Sequence, residues 1–215
     1  MLFSWWKQAQ PAPFSARTGR RPGQSARERQ TQLKEAAPIK TFFTRLLGMK
    51  TEEWAWGRGA AGEEHVGTLL EPLREEGWAI EHDIKIGSNG ANIDHVLIGP
   101  PGVFVINTKY VAGNVWVAGP HLHVRGQPTD YVEKAEAEAK RVREKLMSAT
   151  RRQALWVQGL LVFVEPILKV KFHPRNIAVL TDATLIPFLR QQPQKLGRYE
   201  LEELLQAARR EDTWE

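Results

Sequence analysis

The chain has 215 residues, of which 42% are apolar, enough for one domain of ordinary size with an appendage. It contains no cysteine, which excludes disulfides and thiolate metal sites, so any metal ligand must come from Asp, Glu, Asn or His. The formal net charge of +5 is uneven: residues 1–58 hold eleven Lys or Arg against four Glu, a sum of +7, which leaves −2 for residues 59–215. A polyanion is therefore attracted to the N-terminal segment, and the folded part needs a local basic patch to hold one.

No run of about 18 apolar residues is present, which argues against a membrane-spanning helix. The opening Met1-Leu-Phe-Ser-Trp-Trp-Lys7 is too short a stretch for a secretory signal. A soluble, cytoplasmic protein is expected.

Residues 1–37 form a basic tail. Its stretch 8–36 is rich in Gln, Pro, Ala, Arg and Ser with almost no large apolar side chain, a composition that predicts disorder. After Pro38, the residues Ile39, Phe42, Phe43, Leu46 and Leu47 recur at helical spacing. They predict an amphipathic helix, docked on the main domain or offered to a protein partner or membrane surface through residues 39–47. Gly57-Arg-Gly-Ala-Ala-Gly62 reads as a flexible joint, so residues 38–57 are taken as helix and linker.

A helix is expected to start at Glu63-Glu64, where carboxylates oppose the positive end of the dipole, with Val66, Leu69, Leu70 and Leu73 as its apolar face. Glu63 falls near the inward stripe and Glu64 to one side. Strands are predicted over 78–86, 92–98 and 103–110. Val111-Ala-Gly-Asn114 is then expected to turn the chain into short strands over 115–117 and 121–124. Residues 129–149 form the clearest helix, with Val132, Ala135, Ala139, Val142 and Leu146 in one stripe. The apolar runs 160–164 and 176–180 read as buried strands, and 184–190 and 198–210 as closing helices. This order describes an α/β protein with a mixed sheet flanked by helices and an antiparallel opening meander. P-loop, G-x-S-x-G, H-E-x-x-H and Rossmann glycine signatures are all missing, so the chemistries they serve lack support.

The hairpin carries the chemistry. If Gly99-Pro100-Pro101-Gly102 is its turn, Ile98 pairs with Val103 and Asp94 stands opposite Asn107 on one face, which Lys109 shares by the period of two. Asp94 can hold a hard cation such as Mg²⁺, a helix carboxylate such as Glu63 can complete the shell, and Lys109 can orient a water or absorb developing charge. Taken alone, Asp94 and Lys109 read more readily as a cross-strand ion pair, and Glu63 as a helix-start carboxylate. His95 alternates to the other side of the hairpin and is expected to be packed or hydrogen-bonded there. His121 and His123 are expected to be structural. Glu133 and Glu136 read mainly as a solvated face from which one acid could reach the site, and Lys134, Lys140, Arg141 and Arg143 as solubility or a substrate groove.

Gly59-Ala-Ala-Gly-Glu63-Glu-His-Val66, Asn92-Ile-Asp-His-Val-Leu-Ile98, Gly102-Val-Phe-Val-Ile-Asn-Thr-Lys109 and Gly113-Asn-Val115 resemble, in order and spacing, the NERD (nuclease-related) domain of the PD-(D/E)XK superfamily. The resemblance covers roughly residues 58–165 and leaves 166–215 to complete the domain. It implies a restriction-endonuclease-like fold and Mg²⁺- or Mn²⁺-dependent cleavage of DNA, with RNA as a further substrate to test. Glu63 matches the helix glutamate, Asp94 the hairpin aspartate and Lys109 the motif lysine. Asn107 departs from the pattern: Glu or Asp is usual there, and Asn offers one neutral oxygen, which implies weaker cation binding. A catalytically inactive nucleic-acid-binding domain and an interaction module remain as alternatives.

Overall fold

The computed structural model describes residues 20–36, 52–87 and 91–215. The helix expected over 39–47 lies outside them. The elements run α1 (Gln24–Ala36), α2 (Glu52–Leu70), β1 (Ala79–Ile86), β2 (Ala91–Gly99), β3 (Gly102–Ala118), β4 (His121–Val124), β5 (Gln127–Thr129), α3 (Tyr131–Thr150), β6 (Val157–Phe172), β7 (Ile177–Thr181), α4 (Asp182–Gln191) and α5 (Arg198–Ala208).

The strands form one mixed sheet built around β3. Its first half pairs antiparallel with β2, its last residues pair antiparallel with β4, and β6 runs parallel to it along almost its whole length. β1 lies outside β2, β5 outside β4 and β7 outside β6. Alternation along β3 sends Phe104 and Ile106 to one face and Val103 and Val105 to the other, and all four are buried. On the first face they pack with Val66 and Leu70 of α2 and Leu185 and Leu189 of α4. On the second lie α3, through Ala139, Val142 and Leu146, and α5, through Leu204 and Leu205. The architecture is the mixed sheet flanked by helices that the sequence predicts.

Three expectations are corrected. Residues 24–36 are helical rather than disordered, and the helix is held from outside itself: Arg27 makes a two-point ion pair with Glu64 at 2.7 Å, and Ala26 is buried. The supposed joint 57–62 is the interior of α2, so Glu63 stands within a helix and not at its start. Two glycines of α2 serve close approach: a Cβ on Gly62 would lie 3.2 Å from the Tyr110 Cβ, and one on Gly67 2.3 Å from the Pro22 ring. Finally, Val111–Asn114 is no turn. β3 continues to Ala118 because β6 accompanies it, and the irregularity shrinks to a register shift between Tyr110 and Gly113, where Gly113 has φ +140°.

Candidate functional site

Every β2–β3 pair from Gly99↔Gly102 to His95↔Ile106 keeps the register that sets Asp94 across from Asn107. At that point the ladder ends, and the Asp94 carboxylate takes over by accepting the Thr108 amide at 2.6 Å. Burial pushes the Asp94 carboxyl up, while the Lys109 charge and this hydrogen bond draw it down. Glu63 enters from α2. Desolvation first and the charge of Asp94 second push it up to about 9.

Asn107 and Lys109 both turn toward α3, as the strand period requires. The Lys109 Nζ donates to the Thr108 carbonyl at 3.2 Å and lies 5.2 Å from the centre of the Tyr131 ring. The Asn107 Nδ2 donates to both carboxylate oxygens of Glu138, at 2.8 and 2.9 Å. Glu138 is itself raised to about 7 by desolvation and by Asp94. The acid that α3 delivers is therefore Glu138, whereas Glu133 is exposed and Glu136 faces Asn176. Its sequence signal was spacing: Glu138 is three residues after Ala135 and four before Val142, along the edge of the buried stripe.

Glu63, Asp94, Thr108 and Lys109 line a cavity of about 420 Å³ together with Arg58 and Arg125. Three buried oxygens here have no hydrogen-bond partner: Glu63 Oε2, Asn107 Oδ1 and Thr108 Oγ1. The Glu63 and Asp94 carboxyls on this cavity, with buried oxygens left open near them, fit a hard divalent cation. Among the described residues no three His, Asp or Glu stand close enough to make a ligand shell by themselves. A cation held by Glu63 and Asp94 would therefore have to keep several waters, as Mg²⁺ does.

Asp83 is a further acid close to this cluster, its charge raising both Glu63 and Asp94. It is fully buried at φ +50° and accepts from Arg20, from the Ser25 amide and hydroxyl, and from Asn92. His95, as expected, faces away from Asp94 and bonds the His82 ring at 2.8 Å. His123 packs against Trp116.

No curated protein matches the chain. Among solved structures, calcium-bound SfsA of Pyrococcus furiosus is similar over 70% of this chain at 17% identity, with a TM-score of 0.22, too loose a likeness to carry an argument. The chain spans about half of the SfsA chain, 52%. The model of the nuclease-related domain, NERD, matches residues 58–164, from the interior of α2 to the middle of β6, and includes every residue of the cluster except Asp83's N-terminal partners. Residues 58–164 thus belong to the NERD, or nuclease-related, family, whose general kind is PD-(D/E)XK.

Proposed function

We propose that this domain is a divalent-cation-dependent nuclease that cleaves DNA phosphodiester bonds. The observation that carries the reading is the cavity lined by Glu63, Asp94 and Lys109, in which a buried Glu63 oxygen has no hydrogen-bond partner, with the partnerless Asn107 oxygen on the strand between Asp94's partner Thr108 and Ile106. Asp94 and Glu63 would hold Mg²⁺ or Mn²⁺, with the Asn107 carbonyl as a neutral auxiliary ligand. When bound, the cation supplies the charge that polarises the scissile phosphate and offsets what develops on its oxygens.

The protein's own groups do the rest. The Thr108 amide fixes the Asp94 carboxylate. Glu138 binds the Asn107 nitrogen and so turns its oxygen the other way, which makes Glu138 a positioning residue. Lys109, steadied by the Thr108 carbonyl and the Tyr131 ring, directs its ammonium charge to the attacking water or the phosphate. Arg58 and Arg125 add positive charge on the cavity wall, which favours a polyanionic substrate.

The test is cleavage of single-stranded, duplex and branched DNA, and of RNA, with Mg²⁺, with Mn²⁺ and with chelator. Asp94→Ala and Lys109→Ala should each lower the rate by about a hundredfold or more. Equal cleavage by the wild type and both variants, or undiminished cleavage in chelator, would sink the assignment.

A further inference from the structure

Beyond Tyr110, β3 and β6 run on as an arm that α3 covers on one face only. Val115, Val117, Leu122, Leu168 and Val170 pack against Val132 and Tyr131 on that side. On the opposite face the strand register aligns two rows across β4, β3 and β6: His123, Trp116 and Lys169, then His121, Ala118 and Phe172. Trp116 is 42% exposed and Phe172 54%, and Lys169 and Lys171 are exposed beside them. Residues 111–129 and 166–181, which make up most of this region, contain no Asp or Glu at all. They hold Arg125, Lys169, Lys171, Arg175 and three of the six histidines. This is a local basic patch within a segment, 59–215, whose net charge is −2.

From these observations we infer that the open face of the β3–β4–β6 arm is a binding platform for single-stranded nucleic acid. The Trp116 indole, braced by His123, is the surface on which an unpaired base stacks, and Lys169 and Lys171 hold the backbone. The arm leads to the cavity: Arg125, which bonds the Ala112 carbonyl, lines it, and Trp116 stands roughly 25 Å along β3 from Lys109. Ile167, Lys169, Lys171 and Phe172 all fall beyond the residues that match the nuclease-related family. Lysines on an open strand edge also guard against edge pairing. That role alone accounts neither for the exposed Trp116 inside the sheet nor for the complete lack of acids. The basic residues 39–47 of this same chain, with Lys40 and Arg45, are a poor charge match for the face, whereas a polyanion is a good one.

The inference rests on the nuclease reading only for where the bound strand leads, so binding is measured in EDTA, without cleavage. Fluorescence anisotropy of the full chain with a labelled oligonucleotide should show the single strand bound about tenfold tighter than the blunt duplex. Trp116→Ala should weaken single-strand binding by about tenfold. Lys169→Ala/Lys171→Ala should reduce the slope of log affinity against log salt by about 1.4. The pair Lys195→Ala/Arg198→Ala, which removes two charges elsewhere, should change neither. All these side chains are exposed, and circular dichroism checks that each variant folds. Wild-type affinity in the Trp116 and Lys169/Lys171 variants, an equal loss in the control pair, or a preference for duplex overturns the platform. So does self-association that Trp116→Ala abolishes, which would assign the face to a second copy of the chain. Normal binding without cleavage in Mg²⁺ would instead overturn the nuclease reading and leave the platform standing.

Discussion

Asn107 shows how a missing negative charge is handled one side chain at a time. The carboxamide donates to Glu138, so positions 107 and 138 form a neutral–acid pair where two acids would repel each other in a dry site. Above about pH 8, where Glu138 is ionised, Asn107→Asp should destabilise the protein by about 1–3 kcal/mol in denaturant titrations. Adding Glu138→Gln should recover most of that loss, because the amide can again donate to its neighbour. Additive effects in this double-mutant cycle would disprove the coupling. The faces of Asn107 and Lys109 were legible from the strand period, and the burial of Glu63 from its helix stripe. Glu138 offered only its spacing along the buried stripe and Asp83 no signal: each becomes significant through a neighbour distant in sequence, 31 residues away for Asn107–Glu138 and 63 for Arg20–Asp83.

At the level of elements, the glycines of α2 were the misleading signal. A run with glycine at 57, 59 and 62 looks like a hinge by composition, yet Gly57 and Gly62 let the helix approach α1 and β3 closely. Gly59 and Gly67 separate the two meanings. A Cβ at Gly59 meets nothing within 4 Å, whereas one at Gly67 would strike the rigid Pro22 ring. Gly59→Ala should therefore stabilise the fold by up to about 1 kcal/mol through helix propensity. Gly67→Ala should destabilise it despite the same propensity gain and expose the segment around Pro22 and α1 to protease. Equal stabilisation by both substitutions would mean that α1 is not packed on α2. The strands were easier to read than their ends. The alternation of Val103–Ile106 and the Pro-Pro turn fixed the hairpin register, but the continuation of β3 to Ala118 depends on a long parallel partner that local sequence cannot reveal.

Across the whole molecule, buried groups of opposite titration behaviour set how stability changes with pH. Glu63, raised to about 9, keeps a proton in the folded state that the unfolded chain has lost, so its contribution is full below the unfolded carboxyl range and disappears as pH rises toward 9. His82 and His95 are lowered by burial, so they oppose folding as pH falls below about 6.5, where the unfolded chain takes up protons that the paired rings refuse. Cation-free protein should therefore gain stability from pH 9 down to about 7, at no more than about 1.4 kcal/mol per unit per proton, and the gain should flatten below about 6, where the histidines offset the protons that Glu63, Asp94 and Glu138 keep in the folded state. In a protein of this size that is a change of several degrees in Tm. Mg²⁺ or Mn²⁺ should reverse the alkaline limb, because a cation binds the ionised carboxylates and its stabilisation grows as they lose their protons. Thermal melts across this range with and without cation read the result directly. Among the described residues no helix is long and apolar enough to cross a membrane. Identical alkaline slopes in both conditions would show that the carboxyls of Glu63, Asp94 and Glu138 are kept apart from cations, and the buried acids would then have to be explained as a proton-holding cluster and not as a metal centre.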